Sequence, residues 1–461
     1  MPDQEGLVQT ILSKVRSNLD SPELRDHLKP GAFSRSSGTI KAPDMIVNDL
    51  LNYSTSGNTS ARNLRDDFKV RSPKPKRGKG KNKGAVTASA ITQARAKFLP
   101  SLWIWINAII LAGFGATGLR LKTFNGYTVR AADGTWLWAN NLIINSFVDG
   151  LNDAEFARLE KDHPKVYEST KKLLMVLLYD PINQLQIGHV VSLEHKGERE
   201  LLVGLLDLLK NGDLLVLDRG YPAAFLFWML QLRGIKFLTR IKADHCKAVR
   251  EFAESDDLDR VVELPISPSG LSQLKAFGVA PPASGCIKVR LLKHFKDGNL
   301  RILASSLTQA EASRSELGNL YSGRWEIEKN ICTLKLPLNL EGWRSYSQEG
   351  VEYDIGCRSL AHNLMILMSW RAAQELKKKG PSPSGRISKI NKTFSLGELK
   401  PTLLPIFRDQ LSPKEIRQLL RQYHEELVRK PSVIAPNRVC PIANGRAKTD
   451  RRTRANRKPA N

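Results

Sequence analysis

Two apolar segments that each lead into an aspartate constrain the fold of this chain more than any other feature. Residues 127–132 have the composition of a β-strand and run into Asp133 and Gly134, and the apolar strand 213–217 runs into Asp218. In an open α/β sheet, site residues lie just beyond the carboxyl ends of strands. An Asp-Gly pair also makes ordinary turns. Taken together, the two segments predict an α/β sheet that brings two carboxylates together.

The elements around these two strands have a definite order. Between them the sequence predicts a hairpin of strands 173–179 and 185–193 and an amphipathic helix at 198–210, and after them a helix ending at Leu232 and a buried strand at 236–241. This order matches one side of an RNase H-like fold, in which the first and fourth strands are adjacent. We therefore predict an RNase H-like core, a mixed sheet flanked by helices, with a β-rich insertion and helical N-terminal and C-terminal regions.

A charged segment near residue 325 supplies a third acid. A capping-box pattern at Ser313, followed by a run without proline, predicts one helix that reaches Lys335. At about 100° per residue, four polar side chains of this helix share an arc of about 60°: Tyr321, Arg324, Glu328 and Lys335. This face suits a metal-binding carboxylate beside groups that hold phosphates. The alternative is a solvated face with ion pairs, such as Arg324 with Glu328.

The charge balance points to an extended anionic partner. The chain has 71 Lys and Arg against 46 Asp and Glu, a net charge of +25 and a pI near 9.9. Nucleic acid is the first candidate and a membrane surface the second. The basic clusters lie in Pro-rich and Gly-rich stretches and not on one face of an apolar helix, which argues against a membrane.

Targeting and redox features fit a protein of a reducing compartment. The acidic N-terminus has no apolar signal segment. The apolar run 102–119 is interrupted by Asn107 and glycines, so we expect a buried helix there and not a membrane span. Five widely spaced cysteines predict neither a disulfide framework nor a zinc module.

Three acids stand out as candidate metal ligands: Asp133, Asp218 and Glu328. Carboxylate oxygens are the ligands that Mg²⁺ prefers, because it keeps water and substrate phosphate in its remaining positions. Two such ions, roughly 3.5 to 4 Å apart, would activate a nucleophile and stabilise the leaving oxygen. The histidines have no zinc-type spacing, and the sequence has no G-x-S-x-G nucleophile elbow.

These residues resemble those of the bacterial insertion-sequence transposases with a DDE active site. The family's Tyr-x2-Arg-x3-Glu-x6-Lys (YREK) signature is matched at every position by Tyr321, Arg324, Glu328 and Lys335. Asp133-Gly134-Thr135 is similar to its first-acid motif, and Asp218-Arg219-Gly220-Tyr221 to its second. The resemblance covers about residues 87 to 370.

The resemblance implies a cytoplasmic, nucleoid-associated enzyme that binds the double-stranded inverted-repeat ends of its insertion sequence, cleaves them and joins the 3′ ends to target DNA. Asp133, Asp218 and Glu328 would hold two Mg²⁺ ions, with Mn²⁺ as a substitute. The phosphates of the DNA end would be held by Tyr321, Arg324 and Lys335, and loosely by Arg240. Joining two ends implies a dimer in the synaptic complex.

Two alternatives remain open at this point. One is a catalytically inactive relic that only binds DNA, and the other is a structure-specific nuclease of the same fold. The chain also departs from related enzymes that use a tryptophan of the insertion to receive a flipped base, because residues 241–324 contain none.

The domain organisation that we predict follows the elements and the linkers. It comprises a helical N-terminal region for DNA-end binding, 1–68; a basic flexible linker, 69–84; a helical segment leading into the core, 85–122; the RNase H-like core, 123–242 and 301–376; the β-rich insertion, 243–300; and a linker with C-terminal helices and a basic tail, 377–461.

Overall fold

The computed structural model of this protein describes residues 4–33, 40–52, 88–116, 121–162, 172–193, 196–296, 298–408 and 411–435. The chain forms two compact units: a sheet unit, Arg120–Cys332, and a helical unit that combines Met1–Leu119 with Thr333–Asn461. The predicted basic linker 69–84 and the basic tail Arg446–Lys458 lie outside the described residues.

The described part of the sheet unit contains one mixed sheet of eight strands. In chain order they are β1 Thr128–Trp138, β2 Lys172–Asp180, β3 Leu185–Ser192, β4 Asp213–Leu217, β5 Lys236–Ile241, β6 Asp259–Pro265, β7 Cys286–Lys296 and β8 Asn299–Ser305. The order across the sheet is β3-β2-β1-β4-β5-β8-β7-β6. β4 runs parallel to both β1 and β5, and the other pairs are antiparallel.

The sheet has packed side chains on both faces because its central strands are apolar on both sides. In β4, Leu215 and Leu217 pack on one face with the helices Glu198–Val203 and Ala224–Leu232. Leu214 and Val216 pack on the opposite face with the helix Arg314–Ser322. The other helices that are contained in this unit or begin in it are Asn141–Val148, Asp153–Asp162, Lys247–Glu254, Pro268–Ala276 and Trp325–Lys335.

The predicted mixed sheet flanked by helices is confirmed, as are the β2–β3 hairpin, β4 and β5. The strands of the segment predicted as an insertion, β6 and β7, extend the same sheet, since β6 pairs with β7, β7 with β8, and β8 with β5. The helix predicted at 198–210 is wrong in length. It ends at Val203 and is followed by a 3-10 turn, Leu206–Leu208.

The helical unit packs its N-terminal and C-terminal segments together. Its helices are Gln4–Leu19, Ala42–Leu51, Ala88–Arg95, Ser101–Ala116, Gln348–Lys378, Lys392–Arg408 and Pro413–Arg429, with a 3-10 helix at Pro22–His27 and a ribbon of strands Ile387–Lys389 and Ser432–Ile434. Trp103 and Tyr353, whose ring centroids are 5.0 Å apart, contribute to its core. Among the described helices, none is both long enough and apolar enough to cross a membrane.

Candidate active site

The parallel pairing of β1 with β4 aligns two of the predicted acids. The last pair in that ladder is Ala132 with Leu217, and the next residues along the two strands are Asp133 and Asp218. Asp218 follows the end of β4, as predicted from the sequence. Asp133 does not end its strand, which is a correction, because β1 continues to Trp138 by pairing with β2.

The third acid and the arginine of the signature lie at a break between two helices. The single helix predicted from Ser313 to Lys335 is wrong: one helix ends at Ser322 and the next begins at Trp325. Gly323 and Arg324 donate their N–H groups three residues back, to Leu320 O and Tyr321 O, which makes a tight turn between the helices. The predicted capping box at Ser313 is present.

The guanidinium of Arg324 is the point at which the three acids meet. Nη1 lies 3.6 Å from Asp133 Oδ2, and Nη2 lies 3.4 Å from Asp218 Oδ1 and donates a hydrogen bond of 3.0 Å to Glu328 Oε1. The arginine side chain is only 6% exposed, whereas Asp218 and Glu328 are 44% and 42% exposed. One buried cation therefore faces three carboxylates, two of which solvent reaches readily.

Two donor atoms of the Arg324 guanidinium remain available to a further ligand. Its Nε and Nη1 atoms are buried and have no hydrogen-bond partner among the described residues. Burial alone would lower the pKa of this guanidinium, but the charges of Asp218, Tyr321 and the other two acids outweigh burial and raise it. Because buried donors are nearly always hydrogen-bonded, these two donors favour a further anionic ligand at this place.

Asp133 is the most strongly perturbed of the three acids. Burial raises the pKa of its carboxyl to about 6, and the charges of Glu198 and Glu328 add to the rise. Arg324 and a 3.0 Å hydrogen bond from the Gly134 N–H oppose it. A carboxyl perturbed in this way, beside a charged partner, is typical of functional sites.

Glu198 is a fourth acid at this site, and no sequence pattern singled it out. It begins the helix Glu198–Val203. Burial raises its pKa, and the charge of Asp218 adds to the rise. In the sequence it reads as an ordinary acid in the first turn of a helix, where a negative charge suits the helix dipole.

The remaining predicted residues lie in different surroundings. The Tyr321 hydroxyl donates to Asp218 Oδ1 at 3.5 Å, and burial raises the pKa of Tyr321 to about 12. Arg240, in β5, lines a cleft with three further basic residues: Arg219, Lys242 and Arg301. Lys335 falls in the helical unit, where its Nζ is 3.6 Å from Glu341 Oε1.

The donor set suits a hard divalent cation, although the acids are not gathered as a ready metal site. Among the described residues, no group of three or more His, Cys, Asp or Glu side chains is arranged to hold a metal ion. The three carboxylates are instead arranged around a guanidinium. Their oxygen chemistry fits Mg²⁺ or Mn²⁺, and the exposure of Asp218 and Glu328 lets an ion reach them.

Comparisons with known proteins found two similarities. Residues 144–364 match the family model of the transposase DDE domain, a segment that contains Asp218, Arg324 and Glu328 but begins after Asp133. The chain is also 25% identical over 377 residues to the transposase InsG of insertion sequence element IS4 from Escherichia coli (strain K12), covering 76% of this chain and 75% of that protein. The chain is thus similar to the transposase DDE domain over nearly half of its length, and to one insertion-sequence transposase over about three quarters of it.

Proposed function

We propose that this protein is the transposase of a bacterial insertion sequence with an RNase H-like core. It binds the terminal inverted repeats of its element, cleaves the DNA ends by metal-dependent phosphodiester hydrolysis and joins the 3′ ends to target DNA. The observation that carries the proposal is the convergence of Asp133, Asp218 and Glu328, from two strands and a helix, on one guanidinium.

In this proposal the three acids hold two divalent ions, Mg²⁺ or Mn²⁺. When bound, such ions activate the attacking oxygen and stabilise the leaving oxygen. The chain itself aligns the ligands. Asp133 and Asp218 are fixed by the β1–β4 ladder, and Glu328 is fixed by the turn at Gly323 that starts its helix.

Arg324 and Tyr321 hold the DNA backbone in this proposal. The Nε and Nη1 donors of Arg324, which have no hydrogen-bond partner among the described residues, suit phosphate oxygens, which bind guanidinium groups with charge-assisted hydrogen bonds. The cleft beside the site carries Arg240, Arg219, Lys242 and Arg301, four cations that can neutralise further phosphates. Lys335 belongs to the same phosphate-binding set by its position in the signature.

The proposed organisation of the active complex follows from the reaction. Joining two ends requires two active sites, so we propose a dimer on paired DNA ends in the bacterial cytoplasm. The N-terminal region 1–68 and the basic linker 69–84 contribute to DNA-end binding, the linker by salt-sensitive contacts that do not depend on sequence.

The sharpest test compares two glutamates of one helix. Glu328→Gln removes a carboxylate from Arg324, whereas Glu326→Gln removes one that pairs with Lys329 at 2.6 Å. We expect E328Q to reduce Mg²⁺-dependent cleavage of end DNA by more than about a hundredfold, because loss of a ligand exceeds the cost of losing an outer partner. E326Q should cleave normally, and both variants should still bind end DNA.

The assay also separates the proposal from its alternatives. The substrate is DNA that carries the inverted repeats flanking the reading frame, and a pre-cleaved end tests joining. Full cleavage by E328Q contradicts the assignment of the acids. Salt-sensitive binding without cleavage by the wild type indicates a relic, and cleavage of branched DNA without joining indicates a nuclease.

A further inference from the structure

A buried pair of amide side chains joins the helix that carries Glu328 to the edge of the sheet. Gln186, in β3, donates from Nε2 to Oδ1 of Asn330, in the helix Trp325–Lys335, at 2.5 Å. The two side chains are 1% and 0% exposed. Neither residue belongs to a sequence motif of the candidate site, so this polar contact has no role in the proposed function so far.

Asn330 interrupts an apolar face of its helix. The side chains beside it on the buried side are those of Ile327 and Ile331. An apolar residue at position 330 would complete this face, whereas a buried amide costs free energy unless it is hydrogen-bonded. A single polar residue in an apolar helix face lowers stability but specifies how the helix packs, because few placements satisfy its hydrogen bond. Asn330 is therefore suited to select one rotation of the helix.

The sheet edge is shaped at the place where Gln186 meets the helix. The β2–β3 ladder shifts its register next to the pair of Tyr179 with Gln186, which leaves Ile187 as the extra residue of a β-bulge. Bulges re-aim side chains and are frequent next to active sites. Burial raises the pKa of the Tyr179 hydroxyl well above its usual value, and the neighbouring Asn330 side chain opposes that rise. Asn330 thus interacts with both residues of the strand pair beside the bulge.

The rotation of this helix decides where the Glu328 carboxylate lies. The helix does not inherit its direction from the preceding one, because the turn at Gly323 separates them. Glu328 and Asn330 are two residues apart and so project about 160° from each other. A rotation of about 20° would move a side-chain tip roughly 6 Å from the axis by about 2 Å. A misplacement of about 1 Å is enough to slow a reaction roughly a hundredfold.

We propose that Asn330 and Gln186 are positioning residues: their hydrogen bond fixes the rotation of the helix Trp325–Lys335 and so holds the Glu328 carboxylate beside the other two acids. The inference rests on the proposed transposase function and adds to it two residues outside the three-acid motif and the signature. Because both side chains are buried, they act through Glu328 and not by contact with DNA or a metal ion.

A paired substitution separates placement from stability. Gln186→Leu and Asn330→Leu each remove one partner of a buried hydrogen bond and should lower the unfolding temperature. The double variant Gln186→Leu/Asn330→Leu removes both partners and should unfold close to the wild-type temperature. At a temperature at which it is folded, we expect it to cleave end DNA about tenfold more slowly or worse, because an apolar contact does not select one rotation. A purely structural pair would regain stability and cleavage together.

The matched control is a buried amide pair of the helical unit, in which Asn363 Nδ2 donates to Asn107 Oδ1 at 2.6 Å. Asn107→Leu/Asn363→Leu should cleave end DNA like wild type. An equal loss of cleavage in this control would mean that removing any buried amide pair slows the reaction, and it overturns the inference. Wild-type cleavage by the folded double variant overturns it as well. A double variant that is no more stable than the single variants contradicts it, since the pair then serves the stability of the core.

A second measurement does not depend on cleavage. Mn²⁺ titration of the full-length protein without DNA, followed by electron paramagnetic resonance of the free ion, gives the ion affinity of each variant. We expect Gln186→Leu/Asn330→Leu to weaken Mn²⁺ binding about tenfold in the wild-type background. In the E328Q background it should cause no further loss, because the pair acts through Glu328. A further loss there overturns the inference.

The two proposals fail in different ways. If E328Q abolishes cleavage while the double variant Gln186→Leu/Asn330→Leu keeps both Mn²⁺ affinity and cleavage, only the positioning role of the amide pair fails. If the wild type neither binds Mn²⁺ nor cleaves end DNA, the proposed function fails as well.

Discussion

The two compact units each bury arginine among carboxylates, but with opposite charge balance. The helical unit contains what we call the Asp49 cluster, in which three arginines surround two acids and each side chain is at most 5% exposed: Arg95, Arg344, Arg358, Asp49 and Asp354. In the sheet unit, one guanidinium faces three acids: Arg324 with Asp133, Asp218 and Glu328, the Arg324 cluster.

The two clusters also differ in how completely their charged groups are hydrogen-bonded. Arg95 donates to both oxygens of Asp49, at 2.8 and 2.6 Å, and Arg344 Nε donates to Asp354 at 2.7 Å. Arg344 Nη1 lies 3.5 Å from Asp49 Oδ1 and so ties the C-terminal segment of the unit to the N-terminal one, and no acid of the cluster is left without a cation. The Arg324 cluster keeps exposed acids and guanidinium donors without a hydrogen-bond partner among the described residues, so it has charge available for a ligand. The comparison separates an ion cluster that stabilises a core from one that can bind a ligand.

The largest effect on stability should come from the Asp49 cluster. Asp49→Asn keeps the shape of the side chain but leaves buried guanidinium groups without their counter-charge. We expect it to lower the free energy of unfolding of the helical unit by roughly 3 to 5 kcal/mol, the range for breaking a buried ion pair. Urea denaturation followed by circular dichroism measures the loss.

Two control variants test whether the loss of stability is specific to the Asp49 cluster. Asp20→Asn changes an exposed acid of the same unit and should leave stability within about 0.5 kcal/mol of wild type. Asp218→Asn, in the Arg324 cluster, should cost less than about 1 kcal/mol while abolishing cleavage, because the acid is 44% exposed. Equal destabilisation by D49N and D218N would remove the distinction between the clusters.

A smaller effect should follow loss of the central arginine. Arg324→Gln removes the positive charge among the acids, so a divalent ion no longer competes with a guanidinium for them. We expect Mn²⁺ affinity without DNA to rise by roughly tenfold, which corresponds to about 1.4 kcal/mol, and affinity for end DNA to fall. A Mn²⁺ titration of the full-length protein, followed by electron paramagnetic resonance of the free ion, measures the first effect.

Arg240→Gln is the matched control for that experiment. Arg240 lines the basic cleft and makes no ion pair with the three acids among the described residues. It should weaken DNA binding and reduce its salt dependence while leaving Mn²⁺ affinity within about twofold of wild type. An unchanged or weaker Mn²⁺ affinity in R324Q would show that the guanidinium does not act as the counter-ion of these acids.

The sheet could be predicted from the sequence because its signals are local. The apolar run of β4, its terminal Asp218 and the hairpin of β2 and β3 follow from side-chain pattern and turn residues. The break at Gly323 could not be predicted in this way, because the helical pattern continues through it. The turn bonds of Gly323 and Arg324, which reach only three residues back, interrupt the helix without a change of composition.

In the candidate site, only the residues that lie in recognisable sequence motifs could be predicted. Asp133, Asp218 and Glu328 stood out because each lies in a recognisable strand or helix pattern. Glu198 did not stand out, because only tertiary packing brings it to β1, where its carboxylate occupies the space that a side chain at Gly134 would fill. The Asp49 cluster has the same origin, since Asp49 and Arg344 are brought together by tertiary packing of distant segments.

The smallest predicted effect concerns Glu311, which has many partners but is only partly buried. It therefore tests whether the number of partners or the degree of burial decides how much an acid contributes to stability. Burial would raise the pKa of Glu311, but hydrogen bonds from Lys236, Tyr127 and Thr308 outweigh it and lower the pKa to about 2. The pKa is thus depressed in the folded protein. The stability that it contributes is fully present above the unfolded value of about 4.3 and is lost as the pH falls towards 2.

Glu311→Gln should remove that pH-dependent part of the stability. Because the carboxylate is 26% exposed, solvent screening limits the expected loss at pH 7 to about 1 kcal/mol, well below that of Asp49→Asn. Unfolding measured between pH 5 and pH 2 should have a shallower pH dependence in E311Q than in wild type. A loss as large as that of D49N would mean that the number of partners, and not burial, separates the stabilising cluster from the ligand-binding one.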